Sequence, residues 1–395
     1  MIVGAALASV CGCASDASDL PDAPFGVWAA PVAVTAFGGD NFAEPQGLAV
    51  DTAGDVYVAD YLDNVIRAIT PTGIATTLAG TGNDGAVNGP GSTATFLGPE
   101  GVAVDAAGNV YVADTHNHLL RKVTPEGEVS TFAGTGDAGN ANGASTAASF
   151  QFPEGIAVDA SGNVYVADTG NNLIRKVTPA GDVSTLAGTG AAGSADGAGS
   201  AASFNQPYGV AVDAAGNLFV GDSGNGLIRK VTPAGEVSTV VAIAANGVAV
   251  DTAGNLYVAC DGAPFDASSV QIVTPGGVAS TYAQGFMEPT GVAVDASGNV
   301  YAADFLTNLV SKISQLGTGQ LAVTWDRVDS SIDAPDIAYY TATARAAGQP
   351  TKTCKVRQPS CTITGLASGI EYNVTVTANN GVDGPPSSPV TAIPN

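Results

Sequence analysis

Positive charge is what this chain has least of. Across 395 residues Lys and Arg number 13 against 36 Asp and Glu, for a net charge of −23. That balance excludes nucleic acid as a natural partner, and an anionic membrane surface too, because both reward clustered cations. Histidine occurs twice, at His116 and His118, so the chain has none to spare for a three-histidine zinc site. The five cysteines form no C-x-x-C or Cys/His metal spacing. The sequence also lacks a serine-hydrolase elbow and a phosphate loop followed by a helix, and strings such as AGTGDAG read as loops. Beyond the N-terminal stretch, no segment is long and apolar enough to span a bilayer.

What the chain has in abundance is one repeated sentence. It reads PQGLAVDTAGDVYVAD from Pro45, and related versions begin at Pro99, Pro153, Pro207, Ala245 and Pro289. The shared glycines Gly47, Gly101, Gly155, Gly209, Gly247 and Gly291 lie 54, 54, 54, 38 and 44 residues apart, a period expected of propeller blades or solenoid units. GVAVD is an apolar, β-branched run, D-A-A-G-N is a turn, and VYVAD is a second run, which together predict a hairpin. A third run such as LIRKVTP and a fourth such as VSTLAG complete four antiparallel strands per unit. The sixth unit lacks its fourth strand, while an unmatched strand, VAVTAFGG from Val32, precedes the first unit. If that strand closes the last blade, no open edge remains. A superhelical solenoid would leave it unexplained.

The motif P-x-G-[VIL]-A-V-D-x-x-G-N-[VL]-Y-V-A-D, followed by N-x-[LI]-[IL]-R-K-[VI], resembles NHL-repeat propellers. The resemblance implies an all-β fold, a six-bladed ring over about residues 30–316. It does not imply one activity, since relatives on this scaffold include RNA-binding regulators, sensor domains and a metal-dependent lyase. Near Gly317 the repeat language stops. LAVTW to Trp325, IAYYTATA from Ile337 and TITGLASGIEYNVTVTANN from Thr362 resemble a fibronectin type III sandwich over residues 319–395. That resemblance makes Trp325 a core residue and Tyr372 the corner tyrosine whose hydroxyl bonds back to the chain.

Residues 1–20 read as an export segment and linker. MIVGAALASVCGC is apolar, uncharged until Asp16, and ends in a Val-Cys-Gly-Cys pattern that resembles the lipobox of bacterial lipoproteins, with Cys13 or Cys11 as the lipidated residue. The expected setting is extracytoplasmic, either secreted or lipid-anchored to a bacterial membrane. Cys354 and Cys361 flank KVRQPS and could bridge across a turn, which fits an oxidising compartment, although two reduced thiols remain open. Cys260 has no evident partner.

Residues repeated around the ring are expected to build it. The Asp of V-D-x-x-G should order the first turn. The Asp ending the second strand recurs with an Arg seven residues on, and the fifth blade loses both together at Cys260 and Gln271, which suggests a structural pair. Three long connections, over residues 80–98, 134–152 and 188–206, should raise one face beside the channel mouth, anchored by Phe96, Phe150 and Phe204. On this face Tyr61, His116, Asn117, His118, Asp137, Asn171, Asn172 and Asp196 are the candidate ligand-binding residues. The expected function is a non-enzymatic, monomeric binding or scaffold protein whose face takes a protein, peptide or glycan, with the sandwich as spacer or adhesive module. The alternative is an extracellular lyase or hydrolase using a divalent ion held by Asp and carbonyls at the channel. No cofactor is expected, apart from a structural Ca2+ as an option.

Overall fold

The computed structural model describes residues 27–30, 32–39, 42–261, 268–316, 320–325, 339–356, 360–379, 383–387, 389–392 and 394. Cys11, Cys13 and the fifth-blade residues beyond Asp261 as far as Asp266 lie outside them, as does the side chain of Trp325. The described residues are almost wholly β-strand, with three short 3-10 turns at Thr115–Asn117, Thr169–Asn171 and Ser223–Asn225. The fold is all-β, a six-bladed propeller followed by a sandwich.

Each blade is an antiparallel sheet running from the channel outward, as in Pro153–Val158, Val164–Asp168, Leu173–Val177 and Val183–Ala187. The last blade takes its outer strand from the other end of the chain, Val32–Ala36 pairing with Leu309–Gln315 from Val32 opposite Gln315 to Ala36 opposite Ser311. This is the closure the unmatched strand predicted, and it removes the open edge of the ring. Apolar layers fill the space between adjacent blades; Phe150, Ile156, Val164 and Val177 form part of one.

The repeated residues account for the ring. Asp51 accepts backbone N–H bonds from Ala53 and Asp55, both at 2.9 Å, and the same pair recurs at Asp105, Asp159, Asp213, Asp251 and Asp295. The six shared glycines have another reason to be glycine. A Cβ on Gly101 would strike the Glu154 carbonyl oxygen, one on Gly155 that of Tyr208, and one on Gly291 that of Gln46. Each blade therefore rests on the backbone of the next at closest approach, and the sixth rests on the first.

The sandwich has two sheets. One contains Lys352–Val356, Tyr339–Arg345, Tyr372–Asn379 and Asp383–Pro386, with Val390–Ala392 also paired to Tyr372–Asn379. The other contains Leu321–Trp325 and Ser360–Ile363, and its third strand comes from the N-terminal side of the propeller: Val27–Ala30 pairs with Leu321–Trp325. Sequence patterning left that strand out. Tyr372 is 1% exposed, and its hydroxyl accepts the Ala367 N–H at 3.0 Å, the expected tyrosine corner. Cys354 and Cys361 are disulfide-bonded, with Cα atoms 6.4 Å apart, and the bond joins the two sheets at their edge.

Candidate functional site

One face of the ring carries both the loops after each second strand and the connections into each inner strand. Backbone bonds tie the two together: Leu62 N–H to Ala43 O, His116 N–H to Leu97 O, Gly170 N–H to Gln151 O and Gly224 N–H to Asn205 O. The three long connections lie on this side and are fastened to the blade that follows. Arg175, wholly buried, donates to Asp168 Oδ2 at 2.5 Å, to Ser149 O at 3.2 Å, and to Ala141 O and Asn142 Oδ1 at 2.9 Å. Its guanidinium stacks 5.2 Å from the Phe150 ring. Arg121 and Arg229 repeat the arrangement on Asn88 and Asp196 and on Phe96 and Phe204. The Arg–Asp pair is thus structural, as its joint loss in the fifth blade suggested, and it also clamps the loops. Cys260, in the fifth blade, is buried, and burial pushes its thiol up to about 12, so it remains protonated.

The clamp uses several of the candidate face residues. Asp196 is held by Arg229 at 2.6 Å and by the Thr239 N–H and hydroxyl at 3.1 Å. Asn117 donates to Gly85 O at 2.8 Å and to Asp114 at 2.9 Å, and Asn171 donates to Gly139 O and Asp168 at the same distances. Asn172 sits in the left-handed region at φ 54° and accepts the Gln206 N–H at 2.8 Å. Asp137 stays exposed near the start of its connection. These groups order the face.

Tyr61, His116 and His118 do come together, around Phe152. The Tyr61 hydroxyl and His116 Nε2 are 3.0 Å apart, and His118 Nδ1 accepts the Phe152 N–H at 3.1 Å. The ring centroids of His116 and His118 lie 5.7 and 4.7 Å from that of Phe152. Burial and the neighbouring His116 hold the His118 pKa below its ordinary value. Phe152 is 39% exposed, and Leu62 and Leu306 on the same face are 60% and 43% exposed.

Of these groups Tyr61 lies near enough to the central channel to feel the charges of Glu100 and Glu154. There the residue before each repeated Gly, of five types in the six copies, forms a ring: Gln46, Glu100, Glu154, Tyr208, Asn246 and Thr290. In five blades a β-bulge falls at this point, as between Pro153 opposite Asp168 and Ile156 opposite Val166. The extra residue turns its side chain toward the axis. Below lies an aliphatic ring of Leu48, Val102, Ile156, Val210, Val248 and Val292, which lines the same cavity. Tyr208 crosses the channel, its hydroxyl 3.0 Å from both Gln46 Oε1 and Glu100 Oε2. Burial raises the Glu100 carboxyl to about 7. Burial first and the Glu100 charge second raise Glu154 to about 8, with the Thr169 hydroxyl opposing. Glu154 Oε2 is enclosed and has no hydrogen-bond partner. Sequence analysis missed this ring, although its signal was present as the position that varies most in chemical type inside the repeated sentence.

Fold and face together define a closed six-bladed β-propeller carrying a C-terminal β-sandwich. Residues 42–64, 96–123, 150–177 and 204–231 match the NHL repeat, and residues 308–393 match the fibronectin type III domain, so the propeller carries NHL repeats and the sandwich is a fibronectin type III domain. It is 34% identical over 149 residues to the chloroplastic protein Suppressor of quenching 1 of Arabidopsis thaliana, covering 35% of this chain and 14% of that one. It is 36% identical over 150 residues to NHL repeat-containing protein 2 of Bos taurus, covering 34% and 21%. The chain thus spans about a fifth or less of the length of these relatives. Among solved structures, a gluconolactonase of Xanthomonas campestris aligns with a TM-score of 0.54 at 13% identity over 75% of this chain and 99% of its own, a likeness of fold.

Proposed function

We propose that this chain is an exported, non-enzymatic interaction protein whose raised propeller face holds a protein, peptide or glycan, with the sandwich as spacer or adhesive module. The observation that carries this reading is the exposed apolar and aromatic surface of Leu62, Phe152 and Leu306 with Tyr61, His116 and His118. It lies along one side of the face, from the sixth blade to the third, beside long connections that buried arginines hold still. Partners gain most from rigid aromatic anchors, since little side-chain freedom is lost when they are covered. NHL and fibronectin type III modules commonly serve protein interaction, which supports a protein or peptide ligand. The disulfide supports an oxidising compartment. Lipid attachment at Cys13 is tested by labelled palmitate, incorporated by the native chain and not by Cys13→Ala.

Capture of partners from an extracellular fraction, by the native chain and by a variant with the three long connections shortened, tests the face. The native chain should retain partners that the shortened variant loses. Equal capture by both refutes the assignment.

The buried carboxylates favour a second reading, a metal-assisted lyase or hydrolase at the channel, because raised carboxyl pKa values are what general acid–base chemistry uses. Against it, no group of three or more His, Cys, Asp or Glu among the described residues is placed to hold a metal. A stoichiometric divalent ion in the purified protein, lost in Glu154→Gln together with a turnover that depends on it, would establish it.

A further inference from the structure

We propose that the channel mouth is a receptor for a primary ammonium group, the side chain of a lysine on the partner that the raised face holds, with Glu100 and Glu154 as its counter-charges. This rests on the binding-face reading above. The cavity has its carboxylates in a polar ring at the mouth, closed beneath by Leu48, Val102, Ile156, Val210, Val248 and Val292, and Tyr61 lies near enough to feel Glu100 and Glu154. A methylene stem lying across the exposed aromatic face can therefore end with its charge at the ring. Aromatic faces near a cation add attraction.

The hydrogen-bonding inventory selects the ligand. Around the ring, Tyr208 already engages Gln46 and Glu100. The Thr290 hydroxyl donates to Pro45 O at 3.1 Å, and the Asn246 amide donates to Pro289 O at 3.3 Å. The enclosed oxygen left without a partner is Glu154 Oε2. A hard divalent cation wants six or more oxygens, which this ring has largely committed elsewhere. An ammonium brings three donors and no acceptor, and two carboxylates satisfy it. Neither carboxylate has a cation beside it: the buried arginines are engaged in the blades, with Asp114, Asp168 and Asp222. The other groups that bear electrically on the pair are Tyr208 and Tyr61, neither of them cationic. An unpaired buried carboxylate therefore holds a proton until a cation displaces it.

The test is calorimetric titration of the full chain with N-acetyl-Gly-Lys-Gly-amide, with its Nε-acetyl form and with the arginine counterpart. The lysine peptide should bind and release protons near pH 7, seen as an enthalpy that changes with the buffer. The Nε-acetyl peptide, and the lysine peptide on Glu154→Gln or Glu100→Gln, should bind about tenfold or more weakly, the usual cost of removing one partner of a charge-assisted contact. Affinity should also fall from pH 8 to pH 5.5. Equal binding of the acetylated peptide, tighter binding of the arginine peptide, or displacement of the lysine peptide by stoichiometric calcium or manganese would each overturn the proposal. If the two Gln variants capture the same protein partners as the native chain while the lysine peptide fails to bind, the ammonium site is wrong and the binding face stands. If the loop-shortened chain captures as well as the native one, the face is wrong whatever the peptide does.

Discussion

Changing Glu154 to Gln keeps the shape of the side chain and removes only its ability to ionise. In the folded chain its carboxyl is raised from 4.5 to about 8, whereas in the unfolded chain it stays near the ordinary value. Between those two pH values the unfolded state loses a proton that the folded state keeps, so the native protein loses stability as pH rises through that window. At about 1.4 kcal/mol per tenfold difference, the cost of ionising Glu154 in place is at most about 5 kcal/mol. Water entering an open channel reduces this to about 2 kcal/mol, because buried sites respond with an effective dielectric near 20. For a domain of this size that corresponds to about 4–8 °C in melting temperature. Thermal melts of native chain and variant from pH 5 to pH 9 should coincide near pH 5, where both side chains are neutral, and should separate with the variant more stable by that amount at pH 9. The large acidic excess and the low pKa of His118 act on both chains and cancel in the difference. Parallel curves across the range would refute the description of Glu154 as an enclosed, unpaired carboxyl.

Three further outcomes follow from the packing. Arg175→Ala leaves Asp168 buried and unpaired and should cost about 3 kcal/mol in chemical denaturation, with faster proteolysis within residues 134–152; Arg67→Ala also strips the cation from a buried carboxylate, Asp60, but at a side chain 20% exposed, so water reaches the gap and the cost should be smaller, about 2 kcal/mol. Gly101→Ala forces a methyl onto the Glu154 carbonyl oxygen and should lower propeller stability by about 2 kcal/mol or more, while leaving a separate sandwich transition in place. Replacing Cys354 and Cys361 together by Ser should cost the sandwich about 2 kcal/mol, and a reducing agent should reproduce the loss in the native chain.

The ring was legible because its evidence is periodic. Asp51 and its five counterparts, the six close-approach glycines and the unmatched strand at Val32 can each be picked out by comparing the copies, even though the glycines and that strand meet partners far away in sequence. The face was partly legible: Tyr61, His116 and His118 could be placed by their loop, but the Arg clamp that takes up Asn117, Asn171 and Asp196 forms only when a connection folds down onto the following blade. The channel ring was written at the most visible place, just before the repeated Gly, yet its meaning depends on a bulge and on contact across the full diameter. Tyr208 reaching Gln46, 162 positions away in sequence, follows from no local pattern. The extra sandwich strand at Val27–Ala30 escaped for a related reason, since four residues far from the rest of their sheet carry no periodicity of their own.

That strand also changes how the two domains are joined. Val27–Ala30 belongs to the sandwich and Val32–Ala36 to the last blade, while Leu309–Gln315 and Leu321–Trp325 make the same crossing in the opposite direction. The joint is therefore a two-ply ribbon with one ply from each end of the propeller, and a hinge there would have to bend both plies at once. Any tether attached ahead of Val27 would pull first on the sandwich and then on the clasp of the ring. Anchorage, orientation of the binding face and integrity of the propeller would then all depend on the same ten-residue stretch.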